Sequence, residues 1–448
     1  MTSLFADRAL LPDGWYADVR IGMADGRIEN VTPGCAPDPS DERHAVVLPA
    51  PGNVHSHAFQ HAMAGLTERR GTGDDSFWTW RETMYRFALG MRPEDVEAVA
   101  AMLYVRMLEA GFGRVGEFHY LHHDRDGAPY ADLGEMAARI ATASQIAGIG
   151  LTLLPVFYAH AGFGPAPALP EQRRFVSSLD TFARLMERSG EIIGQLPGAA
   201  LGIAPHSLRA ATLEEILTIL PLAGDGPIHI HVAEQIAEVI ACERHHGVRP
   251  VRLLLDNAPV DDRWCLIHAT HMTDDEIRDM ATRGAVAGLC PITEANLGDG
   301  IVAGTAFRAV GGRFAVGSDS NVSISLRGEL RQYEYSQRLG LRVRNAIADP
   351  SASTGRTLFA GALAGGAQAL TNPAGIVAGN RADLVALDCS AAPQLDDDSR
   401  LDGWVFGDDI RVDCVWAMGT KQVAGGRHLR RDAVEARYRQ AMLRLSED

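Results

Sequence analysis

A chain of 448 residues, 46% hydrophobic and 22% charged, is too long for one ordinary compact domain and has the composition of a globular rather than a disordered protein. Its 42 Lys and Arg against 57 Asp and Glu give a net charge of −15, which repels a phosphate backbone; nucleic acid is therefore not expected as a partner, and any anionic ligand must be met by local arginines inside a pocket. Six scattered cysteines form neither a disulfide framework nor a thiolate zinc site, and there is no basic leader and no apolar run of about 18 residues, so a reducing, cytoplasmic setting away from membranes is expected.

Residues 1–48 read as short strands and turns. The run from Trp15 to Ile21 alternates with period two, and Asp25-Gly26 is a hairpin signal ahead of Ile28 and Val31. After residue 48 the pattern changes to short apolar strands alternating with amphipathic helices, the form taken by repeated βα units around a parallel sheet. One helix is predicted to open at Arg92-Pro93-Glu94-Asp95, with proline in its first turn, acidic residues at its positive end, and Val96, Val99, Ala100, Leu103 and Met107 as its buried stripe. Another opens on the capping box Thr273-Asp274-Asp275-Glu276.

Eight candidate strands lead, in order, into His55-Ser56-His57, Glu117-Phe118-His119-Tyr120, Val156-Phe157-Tyr158, Pro205-His206, His229-Ile230-His231, Ile267-His268, Leu289-Cys290 and Ser318-Asp319. Nearly all deliver a polar side chain at the end where barrel enzymes hold their chemistry. Strand patterns return at 382–387 and 414–418, with the turn Gly425-Gly426. The expected fold is α/β: a (β/α)8 TIM barrel over residues 49–375, and a small β-sandwich domain built from both chain ends, 1–48 and 376–448, the second part carrying a terminal helix.

His55 and His57 lie two apart on a strand end, so their side chains leave the same face and can grip one ion. His231 closes a later strand, His268 the next, and Asp319 ends the last. Three neutral imidazoles and one carboxylate suit a single Zn²⁺, with Fe²⁺ as the alternative. His229 shares the face of His231 and is read as a structural or supporting histidine.

The segments Pro51-Gly52-Asn53-Val54-His55-Ser56-His57, His231-Val232-Ala233-Glu234, His268, Ser318-Asp319 and Gly379-Asn380-Arg381-Ala382-Asp383-Leu384-Val385 resemble, in this order, the signatures of the amidohydrolase superfamily. The resemblance covers nearly the whole chain. Strand four ends in Ala204-Pro205-His206-Ser207 with no lysine, which resembles the mononuclear deaminase branch. That branch implies His55, His57, His231 and Asp319 as ligands of one ion. It further implies Asp319 as acceptor of the proton of water, Glu234 as proton carrier to the departing nitrogen, and His268 as the group that holds or polarises the nucleophile.

The surrounding loops resemble the formiminoglutamate deiminase branch. They are Ala58-Phe59-Gln60-His61, the run Asp74 to Tyr85 read as a long polar and aromatic loop, Glu117-Phe118-His119-Tyr120, Pro205-His206-Ser207-Leu208-Arg209, Cys290 to Gly300, and Leu326-Arg327-Gly328-Glu329. The implied reaction is hydrolytic deamination of N-formimino-L-glutamate to N-formyl-L-glutamate and ammonia, in histidine degradation. A substrate with two carboxylates needs guanidinium groups in so acidic a protein, and Arg81 and Arg209 are the candidates. The same resemblance implies Gln60, Tyr120 and His206 as hydrogen-bond donors to the substrate. The alternative is an aromatic-base deaminase of the superfamily acting on guanine, cytosine or a nucleoside, which needs apolar and amide contacts instead of two arginines. The expected partners are a small amino-acid substrate and a second copy of the chain in a homodimer.

Overall fold

In the computed structural model of the chain, residues 2–69 and 77–447 are described. Four strands open it: β1 (Thr2–Leu11), β2 (Gly14–Ala24), β3 (Arg27–Thr32) and β4 (Glu42–Pro49). The turn between β2 and β3 falls on Asp25 and Gly26, with φ of 49° and 78°; both are left-handed, as a two-residue hairpin of type I′ requires.

The central strands follow: β5 (Gly52–Ser56), β6 (Arg114–His119), β7 (Gly150–Phe157), β8 (Ala200–Leu201), β9 (Ala204–Pro205), β10 (Ile228–Val232), β11 (Trp264–His268), β12 (Val286–Leu289) and β13 (Arg313–Val316). They form two parallel sheets, β5-β6-β7-β8 with β9 also paired to β7, and β10-β11-β12-β13. The strand predicted as the fourth is thus split into β8 and β9. Isolated parallel bridges span both seams between the sheets: Ile203 to Ile228 and Ser207 to His231 on one side, Ser56 to Asp319 on the other. Between the sheets Val54, Ile267, Val286 and Ala315 pack with Ala369 and Leu370, so the centre is a filled core.

Helices cover these strands as their periodicity predicts. The helix Pro93–Glu109 buries Val96, Val99, Ala100, Leu103 and Met107 and keeps Glu94 and Asp95 in its first turn. At Thr273 the capping box closes: Thr273 Oγ1 accepts from the Glu276 N–H at 3.3 Å, and the Glu276 carboxylate accepts from the Thr273 N–H at 2.8 Å. The predicted long loop is corrected. Asp74, Asp75 and Ser76 lie outside the described residues, and from Phe77 the chain is helical, Phe77–Gly90. Aromatic residues hid this helix because they read as poor helix formers; packing of Met84, Tyr85, Phe87 and Ala88 into the main core holds it instead.

The chain ends on β14 (Leu384–Asp388), β15 (Arg411–Ala417), β16 (Thr420–Ala424), β17 (Arg427–His428) and the helix Arg431–Glu447. Both chain ends meet in one eight-stranded mixed sheet, β17-β16-β15-β14-β4-β1-β2-β3, in which β4 runs parallel to β1 and antiparallel to β14. Period-two alternation sorts its side chains. Leu4, Ile21, Val47, Leu384 and Trp416 form a second core, while Leu10, Val46, Leu48, Val385 and Val415 join the main one. All six cysteines are free thiols, and among the described residues no helix is long and apolar enough to cross a membrane.

Candidate active site

Four strand ends bring the predicted histidines and aspartate together, His55 and His57 sharing the first. His55 Nε2 lies 3.0 Å from His231 Nε2, and His57 Nε2 lies 3.3 Å from it. Asp319 Oδ1 is 3.3 Å from His55 Nε2 and 3.2 Å from His57 Nε2. His268 stands slightly back, its Nε2 3.8 Å from Asp319 Oδ2. Ligand atoms of His55, His231, His268 and Asp319 all lie within 4.8 Å of one another, and every one of these residues is buried.

The far side of each ring decides what the near side can do. His57 Nδ1 sits 3.0 Å from the Phe118 carbonyl oxygen and His231 Nδ1 2.9 Å from that of His206. Only an N–H satisfies a carbonyl, so in each neutral ring Nε2 carries a lone pair. Burial, aided by its histidine neighbours, pushes the pKa of His55 down to about 3 and that of His231 well below the usual imidazole range, which keeps both rings neutral. Lone pairs and a carboxylate oxygen that face one another in a buried site repel unless a cation lies between them. The donor set therefore fits one divalent ion of the zinc type.

Backbone geometry holds this arrangement under strain. Ala233, His268, Ala269, Asp319 and Asn321 have φ of 52°, 66°, 48°, 46° and 58°, in the left-handed region that side chains disfavour. Hydrogen bonds fix them there. The Ser318 and Asp319 N–H groups both donate to the His55 carbonyl at 3.0 and 2.9 Å, and the Asn321 amide donates to the His57 carbonyl at 3.0 Å. Gly317 makes the approach possible, because a Cβ there would stand 2.7 Å from His55 Cβ.

Glu234 and His268 lie beside the cluster, with Glu234 Oε1 3.8 Å from His268 Nε2. Burial raises the Glu234 pKa, while His268 and Arg209 temper the rise. Burial opposes charge on His268, but Glu234, a hydrogen bond to Glu294 and Asp319 outweigh it and raise its pKa to about 10. His229 takes no part in the cluster; its Nε2 donates to the Ala369 carbonyl at 2.7 Å.

Above the cluster lies a pocket whose walls include Gln60, Arg81, Tyr120, His206, Arg209 and Glu234, with His57, His231 and Asp319 at its floor. Arg209 Nη2 is 3.6 Å from Glu234 Oε2, and its buried Nε has no hydrogen-bond partner among the described residues. The guanidinium of Arg81 stands over the Tyr85 ring, 5.4 Å from its centre. Gln60 Nε2 donates to the Tyr120 hydroxyl at 2.7 Å, which leaves the phenol hydrogen for another acceptor.

Sequence reasoning missed four residues around this site. Glu294 accepts from His268 Nδ1 at 3.2 Å and from the Cys290 N–H at 2.8 Å. Glu117 accepts from the Ala58 N–H at 2.6 Å and the Tyr104 hydroxyl at 3.1 Å, pinning the chain just past His57. Tyr85 and Tyr158 also line the pocket. Position at a strand end was the available signal for Glu117 and Tyr158; Glu294 and Tyr85 sit on helices, and their signal was membership of the runs Cys290 to Gly300 and Asp74 to Tyr85 that resemble the deiminase branch.

Comparison with known proteins converges on the same reading. The model of the "Formimidoylglutamate deiminase HutF, N-terminal domain" matches residues 1–45, and that of the "Amidohydrolase family" matches residues 46–421. Formimidoylglutamate deiminase of Pseudomonas aeruginosa is 50% identical over 436 residues, 96% of each chain. The crystal structure of an amidohydrolase from Brucella melitensis matches with a TM-score of 0.98 at 55% identity and covers 100% of both chains. An adenosine deaminase from Xanthomonas campestris with bound zinc shares the fold at 22% identity, with a TM-score of 0.81 over 100% of this chain and 99% of its own. The chain belongs to the amidohydrolase family and carries, at its N-terminal end, the domain of the formimidoylglutamate deiminases.

Proposed function

We propose that this protein hydrolyses N-formimino-L-glutamate to N-formyl-L-glutamate and ammonia, a step suited to histidine degradation. The observation that carries the reading is the convergence, in one pocket, of two guanidinium groups, Arg81 and Arg209, with the histidine–aspartate cluster and Glu234. A dianionic amino acid gives both arginines a carboxylate to hold; an aromatic base gives them none. The 50% identity to a protein named for this activity supports the same assignment.

His55, His57, His231 and Asp319 would hold one ion, which we assign as Zn²⁺ with Fe²⁺ as the alternative. Bound there, such an ion supplies Lewis acidity and brings the ionisation of a water toward neutral pH. Asp319 accepts the proton of the attacking water. The new carbon–oxygen bond forms at the formimino carbon, and His268, placed between Asp319 and Glu234, holds the developing charge. Glu234 then delivers a proton to the amidine nitrogen. Its raised pKa suits a carboxyl group that must carry a proton near neutral pH. As the carbon–nitrogen bond breaks, the proton held by Asp319 passes to the same nitrogen, which leaves as ammonia, and the hydroxyl proton of the adduct returns to Glu234, so that the formyl group stays on the amino acid. Gln60, Tyr120 and His206 line the pocket as donors that orient the substrate.

We also read the two parallel sheets, bridged at both seams, as one closed (β/α)8 barrel over residues 49–375, and the terminal sheet around its own core as a small β-sandwich built from 1–48 and 376–448. Hydrolysis in ¹⁸O-labelled water tests the reaction: one ¹⁸O atom is expected in the formyl group of N-formyl-L-glutamate, and an unlabelled product or no product would refute it.

A further inference from the structure

The end of the pocket away from the histidine cluster is built from two tyrosines joined behind the wall by one amide. Gln172 is fully buried, and its Nε2 donates to the Tyr85 hydroxyl at 3.0 Å and to the Tyr158 hydroxyl at 2.7 Å. Its Oε1 accepts from the Leu169 N–H at 2.8 Å, which fixes the amide the right way round and commits both of its N–H bonds to the two phenols. A phenol oxygen that accepts an N–H keeps its own hydrogen for a different partner. Both tyrosines line the pocket, and Arg81 and Arg209 line it beside them. This wall therefore offers hydroxyl donors and guanidinium groups together, the chemistry of a receptor for a carboxylate.

Distance along the pocket says which carboxylate. The His206 ring packs on the ligand histidine His231 at 4.8 Å between centres, and Tyr158 packs on His206 at 4.7 Å. Tyr85 lies further along, joined to Tyr158 through Phe175 at 6.2 and 5.9 Å. One ring, His206, thus separates Tyr158 from the cluster where the formimino carbon reacts, and two, Phe175 and Tyr120, separate Tyr85 from it.

We propose that Tyr85 and Tyr158 bind the side-chain carboxylate of the substrate, the one remote from the reacting carbon, and that Gln172 is a positioning residue that turns both hydroxyl hydrogens toward it. The pair sets specificity for a dianion of glutamate length. This deepens the proposed function and rests on it for the identity of the substrate, although the anion receptor itself can be tested without turnover.

The test measures binding by calorimetry to the metal-loaded protein, using N-formyl-L-glutamate and, as a monoanion of the same shape, N-formyl-L-glutamine. The variants are Tyr85→Phe/Tyr158→Phe and, separately, the nearly isosteric Gln172→Glu, whose carboxylate would draw the phenol hydrogens back into the wall. Both are expected to weaken the dianion by about 10–100-fold, as loss of hydrogen bonds to a charged group does, and the monoanion by less than about threefold. In turnover of N-formimino-L-glutamate the same variants should raise KM more than they lower kcat. Equal losses for both ligands, an unchanged affinity for the dianion, or no binding of the dianion by the parent protein would overturn the proposal. A parent protein that binds the dianion through these tyrosines yet releases no ammonia would sink the proposed function and leave the receptor standing.

Discussion

His57 Nε2 and His231 Nε2 face each other at 3.3 Å, each turned there by an N–H that donates to a main-chain carbonyl behind the ring. Two lone pairs at that distance, with the Asp319 carboxylate beside them, make the site costly to fold without a cation. A tight divalent ion then stabilises the fold by mass action, by about 4 kcal/mol at a thousandfold excess over its Kd. Chelation should lower the melting temperature by several degrees and abolish activity, and Zn²⁺ or Fe²⁺ should restore both. Scanning fluorimetry with and without chelator checks this; an unchanged melting temperature in protein proved free of metal would contradict it.

Replacement of Glu234 by Gln keeps the shape of the side chain and removes the carboxyl proton that the proposed function assigns to it. The expected result is a fall in kcat of about 10²–10⁴-fold, with metal content unchanged because Glu234 lies outside the converging ligand atoms. Elemental analysis beside steady-state kinetics separates loss of the proton carrier from loss of the ion.

Arg81→Met and Arg209→Met should each lower kcat/KM by about 10–100-fold, or roughly 1.5–3 kcal/mol, while the ion is retained. The two should differ in form. Arg209 also faces Glu234 at 3.6 Å, so its loss touches kcat as well as KM, whereas loss of Arg81 should appear mainly in KM. Full kinetics of both variants is the check, and unchanged values in both would refute a carboxylate-binding role.

Glu294 ties His268 to the start of its own helix, accepting from the ring and from the Cys290 N–H. Glu294→Ala leaves two buried donors without a partner, which costs about 1–3 kcal/mol for each group stranded. We expect a lower melting temperature together with a tenfold or greater loss of kcat. Glu294→Gln, which can still accept from both donors, should recover most of the stability. Denaturation and kinetics of the pair would show whether the ring needs the carboxylate or only an acceptor.

Much of this architecture was legible where spacing and chemistry act locally. The Asp25-Gly26 turn, the capping box at Thr273 and the stripe of the helix Pro93–Glu109 each rest on neighbours a few residues away, and each stands in the structure as the pattern predicts. Polar residues at the ends of apolar strands likewise mark His55, His57, His231, His268 and Asp319 as one group, and the fold brings them together. What escaped depends on partners far along the chain. The helix Phe77–Gly90 is held by the core rather than by propensity. Glu117 meets Ala58 from 59 residues away and Gln172 meets Tyr85 from 87, and nothing in the local sequence distinguishes such a buried glutamate or glutamine from a solvated one.

In the proposed function the histidine–aspartate cluster and the two arginines act on a single amidine that carries two carboxylates. Ammonia release by the metal-loaded protein, measured side by side on N-formimino-L-glutamate, N-formimino-L-aspartate, guanine, cytosine and adenosine, tests it most directly. The highest kcat/KM is expected for N-formimino-L-glutamate, with no turnover of guanine, cytosine or adenosine above background. Preferred turnover of guanine, cytosine or adenosine would contradict it.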